Sequence, residues 1–226
     1  DKTFDGNSTI AFYRRNLGGL LLTTEIWVIL YYIYSIIFDG IKFDLSVLIK
    51  QMLFLKSSNI SHLWYMPVIL GIYLFIPFIS GALKHIDIRI LYIPLFIAFF
   101  YLFVIPVCNV FLEASGHSLV SSLPDFSFAG GVYGFSVLLG YLVRKHILDQ
   151  IPVFLWVCTG MLSFCFTVFT QFYSVQNGIR YYVWYNSASL FVAALSAFIL
   201  FTKCRLRAPG WITCLSRDSF GIYLFH

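Results

Sequence analysis

A few polar side chains interrupt long apolar runs, and they are the residues of this chain that could do chemistry. Glu25 stands inside the first run, His62 opens the second and His226 ends the last. An ionisable group at membrane depth is costly and marks a candidate site. A histidine can deprotonate a hydroxyl or hydrogen-bond to it, and a carboxylate can carry a proton. Structural alternatives remain open, because Glu25 could bond a neighbouring helix and His62 could be a hydrated interfacial histidine.

Arginines supply a second kind of candidate. Arg14 and Arg15 precede the first apolar run, and paired guanidinium groups are suited to a phosphate-bearing donor. The simpler interpretation is a topology signal, since basic residues accumulate beside the cytoplasmic ends of spanning helices. Arg180 precedes the aromatic run 181–185. That run is typical of a membrane interface, and alternatively it could stack on a sugar ring.

The composition places these residues in an integral membrane protein. The chain has 226 residues, of which 60% are hydrophobic and 11% are charged, whereas soluble domains carry about 25% charged residues. The net charge of +5 is spread over short connections, which does not indicate nucleic-acid binding. The five cysteines form no close Cys-x-x-Cys or Cys/His cluster, so neither a disulfide framework nor a metal site is expected.

Apolar runs of spanning length predict the fold. A transmembrane helix needs about 20 mostly apolar residues, and the fold class is predicted to be all-α, a polytopic transmembrane bundle. The predicted spans are 17–38, 62–83, 88–112, 128–143, 151–173, 187–201 and a seventh that begins near Trp211.

A shorter helix is predicted between the first two spans. Leu45, Leu48, Ile49 and Met52 recur at helical spacing, and Gln51 lies off this stripe with its charged neighbours. The pattern favours an amphipathic helix over 44–56 that lies on the membrane surface. A simple loop is the alternative.

The basic residues predict an orientation. If the first span runs outward, eleven of the 15 Lys and Arg residues lie in inner segments and four in outer ones. The N-terminal side is therefore predicted to be cytoplasmic in a plasma (inner) membrane. From Trp211, about 15 residues of helix rise about 22 Å. His226 is then expected near the outer third of the membrane, on the same side as His62.

Three stretches, taken in order, resemble the acyltransferase 3 family of integral membrane O-acyltransferases. They are Phe12-Tyr13-Arg14-Arg15 leading into Leu20-Leu21-Leu22 and Trp27; His62-Leu63-Trp64-Tyr65-Met66 followed by Gly71-Ile72-Tyr73-Leu74 and Pro77; and the stretch 215–226 with its Ser-Phe-Gly-Ile-Tyr-Leu-x-His element. The match spans essentially the whole chain. It is closest to members that O-acetylate enterobacterial common antigen and similar polysaccharides.

The resemblance implies a ten-helix protein, of which 1–226 is a partial acyltransferase domain without the first two helices and the last. The principal histidine base would lie on the family's first helix, so the piece is expected to be inactive alone. The family's basic entry usually has further Arg or Lys where this chain has Asn16, Gly18 and Gly19.

The resemblance also implies a reaction. An acyl group, expected to be acetyl, would pass from acyl-CoA to a hydroxyl of a cell-envelope polysaccharide or lipid-linked glycan across the bilayer. Acetyl-CoA would be a co-substrate, with no bound cofactor. His62 and His226 are the expected catalytic residues. The expected donor- and substrate-binding residues are Arg14, Arg15, Glu25, Trp64, Tyr73, Ser219 and Tyr223.

Two other functions remain open on the sequence. One is a transporter or flippase for a glycan or small solute, although no repeat of broken helices supports it. The other is an inactive structural subunit.

Overall fold

The computed structural model describes residues 6–56, 61–120, 124–127, 130–203 and 209–225, and the regular structure in these residues is helical throughout. The α-helices, in chain order, are α1 Gly6–Phe12, α2 Gly18–Phe38, α3 Leu45–Met52, α4 Tyr65–His85, α5 Tyr92–Phe99, α6 Ile105–Ala114, α7 Gly131–Arg144, α8 Val153–Gln176, α9 Ala188–Lys203 and α10 Gly210–Phe225. Two π-helical turns, Tyr13–Leu17 and Phe100–Val104, join α1 to α2 and α5 to α6.

Four of the described helices are long and apolar enough to cross a membrane. They are Asn7–Phe38, Tyr65–His85, Ile88–Ala114 and Val153–Gln176. Only 17–22% of the residues in their most apolar stretches are buried inside the protein, so these helices present mostly apolar surface of the kind that lipid covers. The helices α7, α9 and α10 overlap the remaining predicted spans. The prediction of a helical membrane bundle is confirmed.

The chain forms two compact units, and unit 1 comprises Asp1–Ile86 and Ala208–His226. Its core is a cluster of Val28 from α2, Leu63 from the turn before α4, and Met66 from α4. Half-buried apolar side chains of α2, α3, α4 and α10 pack around this cluster. The core therefore ties together the segments that carry most of the candidate residues.

Helix α3 is fastened to α2 at its first residues. The Asp44 carboxylate accepts the Ser46 backbone N–H at 2.8 Å, which satisfies a donor that the first helical turn leaves unpaired. The buried Tyr32 hydroxyl donates to the Asp44 carbonyl and accepts the Asp44 N–H, each at 2.9 Å. These two hydrogen bonds hold the backbone at the start of α3 against α2.

The apolar stripe of α3 is divided between two surroundings. Leu48 and Met52 pack against the core of unit 1, whereas Leu45 and Ile49 are exposed. Gln51 was expected on the polar side, but it is buried, because α3 lies against α2 on the face that Leu48 and Met52 share with it. The helix covers only part of 44–56, and its place at a membrane surface stays a prediction.

Unit 2 comprises Asp87–Arg207, and aromatic rings form the centre of its larger core. Phe103 is fully buried, and its ring centroid lies 4.4 Å from that of Phe191 and 5.1 Å from that of Phe135. The π-helical turn contributes Phe103, while Phe135 and Phe191 come from α7 and α9. Three helical segments are therefore joined by one ring cluster.

Helices α8 and α9 pair closely through small residues. A methyl group added at Gly160 would lie 3.1 Å from the Cβ of buried Ser196. Farther along, the Thr167 hydroxyl donates to that of Ser189 at 2.8 Å. Small residues at such a face let two backbones approach, as is common between helices in membranes.

Candidate active site

Arg14 and Arg15 lie in the π-helical turn Tyr13–Leu17. Both side chains are exposed, and neither guanidinium has a hydrogen bond or ion pair to a described residue. A π-helical turn holds one residue more than the α-helix and is frequent at functional sites. The turn thus presents two adjacent cations that are available to an anionic ligand.

Two contacts fasten this turn to α4. The Tyr13 hydroxyl donates to the Leu74 carbonyl at 2.7 Å. The rings of Phe12 and Tyr73 stack with centroids 6.0 Å apart and an interplanar angle of 14°. The sequence did not single out Phe12 and Tyr13 as site residues, although they directly precede the arginines. Tyr73, a candidate substrate-binding residue, thus stacks on the residue directly before the arginine turn.

The first residue of α4 lies beside α10. The ring of Tyr223 packs edge-on to that of Tyr65, with centroids 6.3 Å apart. Tyr223 also packs around the Val28–Leu63–Met66 core cluster. Trp64 precedes Tyr65 and remains 43% exposed. Trp64 and Tyr223 therefore both lie beside Tyr65, and their substrate-binding roles stay predictions.

The two candidate histidines flank this region in sequence. His62 belongs to the 3-10 turn Ser61–Trp64, and its side chain lies outside the described part of the structure. His226 lies outside the described residues altogether. Leu63 directly follows His62, and Tyr223 lies three positions before His226. Tyr223 packs against the apolar cluster that contains Leu63.

Glu25 is the candidate with an unpaired group. It follows Thr24, which is buried on the face of α2 that carries Val28. The Glu25 Oε2 atom is buried and has no hydrogen-bond partner among the described residues. Burial of a polar oxygen without a hydrogen bond lowers the stability of the fold by about 1–3 kcal/mol. The described residues therefore give no support to the alternative that Glu25 bonds a neighbouring helix.

Ser219 makes a hydrogen bond within its own helix. Its hydroxyl donates to the Ser216 carbonyl at 2.8 Å within α10, and the side chain is exposed. The family resemblance implies that Ser219 supplies a hydrogen bond within the bundle, and its part in substrate binding stays a prediction. A serine in a helix commonly satisfies its hydroxyl on a carbonyl of the preceding turn, and that local bond is the one observed.

The two positions of α4 that make these contacts are separated by a known rise. Tyr65 and Leu74 are nine positions apart, which is about 14 Å along an α-helix. The arginine turn contacts one position and α10 contacts the other. Unit 1 therefore holds two candidate regions on one rigid helix. The part of the chain that the structure describes contains no group of three or more His, Cys, Asp or Glu residues that could hold a metal ion.

A comparison with protein families decides between the classes of function. The family described as an acyltransferase domain matches residues 2–226. The chain belongs to the acyltransferase 3 family. Membership confirms the resemblance and supports an acyltransferase rather than a transporter. Neither the curated proteins nor the solved structures include a match, so the particular likeness to enzymes of enterobacterial common antigen stays a prediction.

Proposed function

We propose that this acyltransferase moves an acetyl group from acetyl-CoA to a hydroxyl of a cell-envelope glycan across the plasma membrane, with its N-terminal side cytoplasmic. The observation that carries the proposal is the arrangement on α4. Tyr13 beside the arginines contacts Leu74, and Tyr223 near the histidine segments contacts Tyr65. A donor that enters from one side and an acceptor from the other suit two regions about 14 Å apart on a helix.

The arginine turn is the proposed donor end. Coenzyme A carries phosphates, and Arg14 and Arg15 are exposed cations without a partner among the described residues. Charge-assisted hydrogen bonds from guanidinium to phosphate are among the strongest polar contacts. Phe12 and Tyr13 act as positioning residues, because they hold the turn against α4.

The segments of His62 and His226 form the proposed acceptor end. The principal histidine base, which the family resemblance puts on another helix, removes the proton from the acceptor hydroxyl, and the hydroxyl oxygen attacks the thioester carbon. His62 and His226 assist this step from the acceptor side. The new C–O bond forms, the C–S bond breaks, and the CoA thiolate leaves and takes up the proton. Trp64 and Tyr223 would border the acceptor, and Glu25 would contact substrate from α2.

Glycan chemistry in cells tests the proposal directly. Envelope glycans from cells with and without the complete gene are compared by mass spectrometry, and acetyl groups are expected only with the gene. In the same cells His62→Ala and His226→Ala are expected to lower acetylation by about 10²-fold or more. His85→Ala is the matched control, because His85 is exposed at the far end of α4. Identical glycans with and without the gene would refute the proposal.

A further inference from the structure

A cleft of about 670 Å³ opens in unit 2, and none of the described candidate residues of unit 1 lines it. Its walls include Tyr101, Tyr181, Tyr182 and Trp184, and Arg180 stands among them. The volume falls within the roughly 300–1,000 Å³ typical of small-molecule sites. Tyr182 and Trp184 are 80% and 54% exposed, so their ring faces are open to a ligand.

The aromatic wall is held by one amide side chain. Gln171 of α8 accepts the Val183 backbone N–H at 2.8 Å and donates to the Tyr181 carbonyl at 3.1 Å. The buried Ser174 hydroxyl lies 3.4 Å from the same carbonyl. These contacts fix an irregular segment at two backbone groups, the Tyr181 carbonyl and the Val183 N–H. Its rings are therefore presented by a braced backbone.

The opposite wall is braced in the same manner. Asn109 of α6 donates to the Val120 carbonyl and accepts the Val120 N–H, each at 2.9 Å. Both Asn109 and Val120 line the cleft. Helices α6 and α8 thus each hold a connecting segment in place through one side-chain amide. Because the backbone of both segments is fixed before a ligand arrives, the cleft has the character of a preformed site.

The charge of the cleft is positive. Arg180 is exposed and has no hydrogen bond or ion pair to a described residue. Glu113 near the end of α6 and Asp125 in the connection after it do not line the cleft. Two hydrogen bonds from Ser127 hold the pKa of Asp125 below its ordinary value, so that carboxylate is occupied elsewhere.

From this geometry we infer that the cleft binds a glycan segment that carries an acidic sugar, with the carboxylate or phosphate on Arg180 and sugar faces on Tyr182 and Trp184. The inference rests on the proposed function, and it names the class of acceptor. Arg180 supplies the forked donors that a carboxylate or phosphate accepts. The rings offer apolar faces with polar edges, a combination suited to sugars, whose faces are C–H and whose rims are hydroxyl.

A lipid groove is the competing occupant, since Tyr and Trp also collect at membrane interfaces. An interface belt needs no shared cavity, because each ring can anchor separately. Here several rings and an unpaired guanidinium line one cleft whose two walls are braced. This convergence favours the glycan.

Binding to defined oligosaccharides tests the inference. The complete gene product in lipid nanodiscs is titrated with a uronic-acid trisaccharide and with a neutral hexose trisaccharide, followed by tryptophan fluorescence and calorimetry. The acidic sugar is expected to bind on the order of tenfold more tightly, and Arg180→Gln to abolish that preference. Trp184→Ala is expected to weaken both sugars severalfold. Arg144→Gln and Trp211→Ala are matched controls, because both residues are exposed and lie outside the cleft.

The outcomes separate the two proposals. The inference is overturned if neither sugar binds. It is also overturned if the cleft variants bind the sugars as tightly as their matched controls do. Cross-linking of a photoreactive phosphatidylglycerol to 179–187 that the trisaccharide does not displace also overturns it, in favour of a lipid groove. If the sugar binds as expected but no acetyl group reaches any hydroxyl, the proposed function fails while the binding site stands. If acetylation proceeds and the sugar does not bind, only the inference fails.

Discussion

Tyr13 donates its hydroxyl to the backbone carbonyl of Leu74 at 2.7 Å, across 61 positions of sequence. The bond joins the π-helical turn that carries Arg14 and Arg15 to the middle of α4. Because the hydrogen-bond acceptor is a backbone carbonyl, substitution of the tyrosine removes the bond and leaves the side chain of Leu74 unchanged.

Tyr13→Phe removes that bond and keeps the ring. The KM for acetyl-CoA is expected to rise severalfold, because the arginine turn is held less firmly, and stability is expected to fall by about 0.5–1.5 kcal/mol. Steady-state transfer assays and melting curves in detergent measure the two effects. Tyr34→Phe is the control, since Tyr34 is half exposed and no hydrogen bond is shown for its hydroxyl. Equal behaviour of the two variants would show that the bond does not position the turn.

The double variant Arg14→Ala/Arg15→Ala tests the donor end. Its KM for acetyl-CoA is expected to rise on the order of tenfold or more, because charge-assisted bonds to phosphate are lost. The melting temperature should hardly change, because both side chains are exposed without described partners. Arg89→Ala, at an exposed arginine in unit 2, is the control. Retained acetylation at low acetyl-CoA would remove the arginines from the donor site.

Glu25→Leu separates function from stability. The substitution removes a buried oxygen without a described partner, so the melting temperature is expected to rise by the equivalent of about 1–3 kcal/mol. Acetyl transfer is expected to fall, because the proposed contact with substrate is lost. A lower melting temperature would show that Glu25 has a stabilising partner, and undiminished transfer would exclude it from the site.

Asn109→Ala tests one brace of the unit 2 cleft. Two hydrogen bonds to Val120 are lost, at about 0.5–1.5 kcal/mol each. Amide hydrogen exchange of 115–120 is expected to accelerate while that of α7 stays unchanged. Asn177→Ala is the control, because among the described residues that amide donates to Tyr173 in the last turn of the preceding helix and braces no connecting segment. Unchanged exchange at 115–120 would mean that the amide does not hold the segment.

Gly160→Ala tests the close approach of α8 and α9. The added methyl group would lie 3.1 Å from the Ser196 Cβ, and overpacking of this kind costs about 1–3 kcal/mol. Ser196→Gly in the same chain should recover part of the loss in melting temperature. Gly81→Ala, where nothing lies within 4 Å, should instead be neutral or stabilising.

The spans could be predicted because apolar runs of membrane length are a local signal, and the helices follow those runs. Contacts between segments that are distant in sequence could not be predicted, because no local pattern encodes them. Nothing near Gln171 in sequence indicates that its amide holds Tyr181 and Val183, and nothing near Gln51 indicates burial. The residue types alone singled out the arginines as an anion site, but the stacking of Phe12 on Tyr73 depends on how α1 meets α4.

Each π-helical turn also changes which residues before and after it share a face of the helix. One extra residue displaces everything beyond the turn by about 100° around the axis, since an α-helix has 3.6 residues per turn. Two of the four long helices contain such a turn, at Tyr13–Leu17 and Phe100–Val104. A single helical wheel drawn through Asn7–Phe38 would put Ile10 on the wrong side relative to Val28. Cross-linking pairs for these helices must therefore be chosen separately before and after the turn.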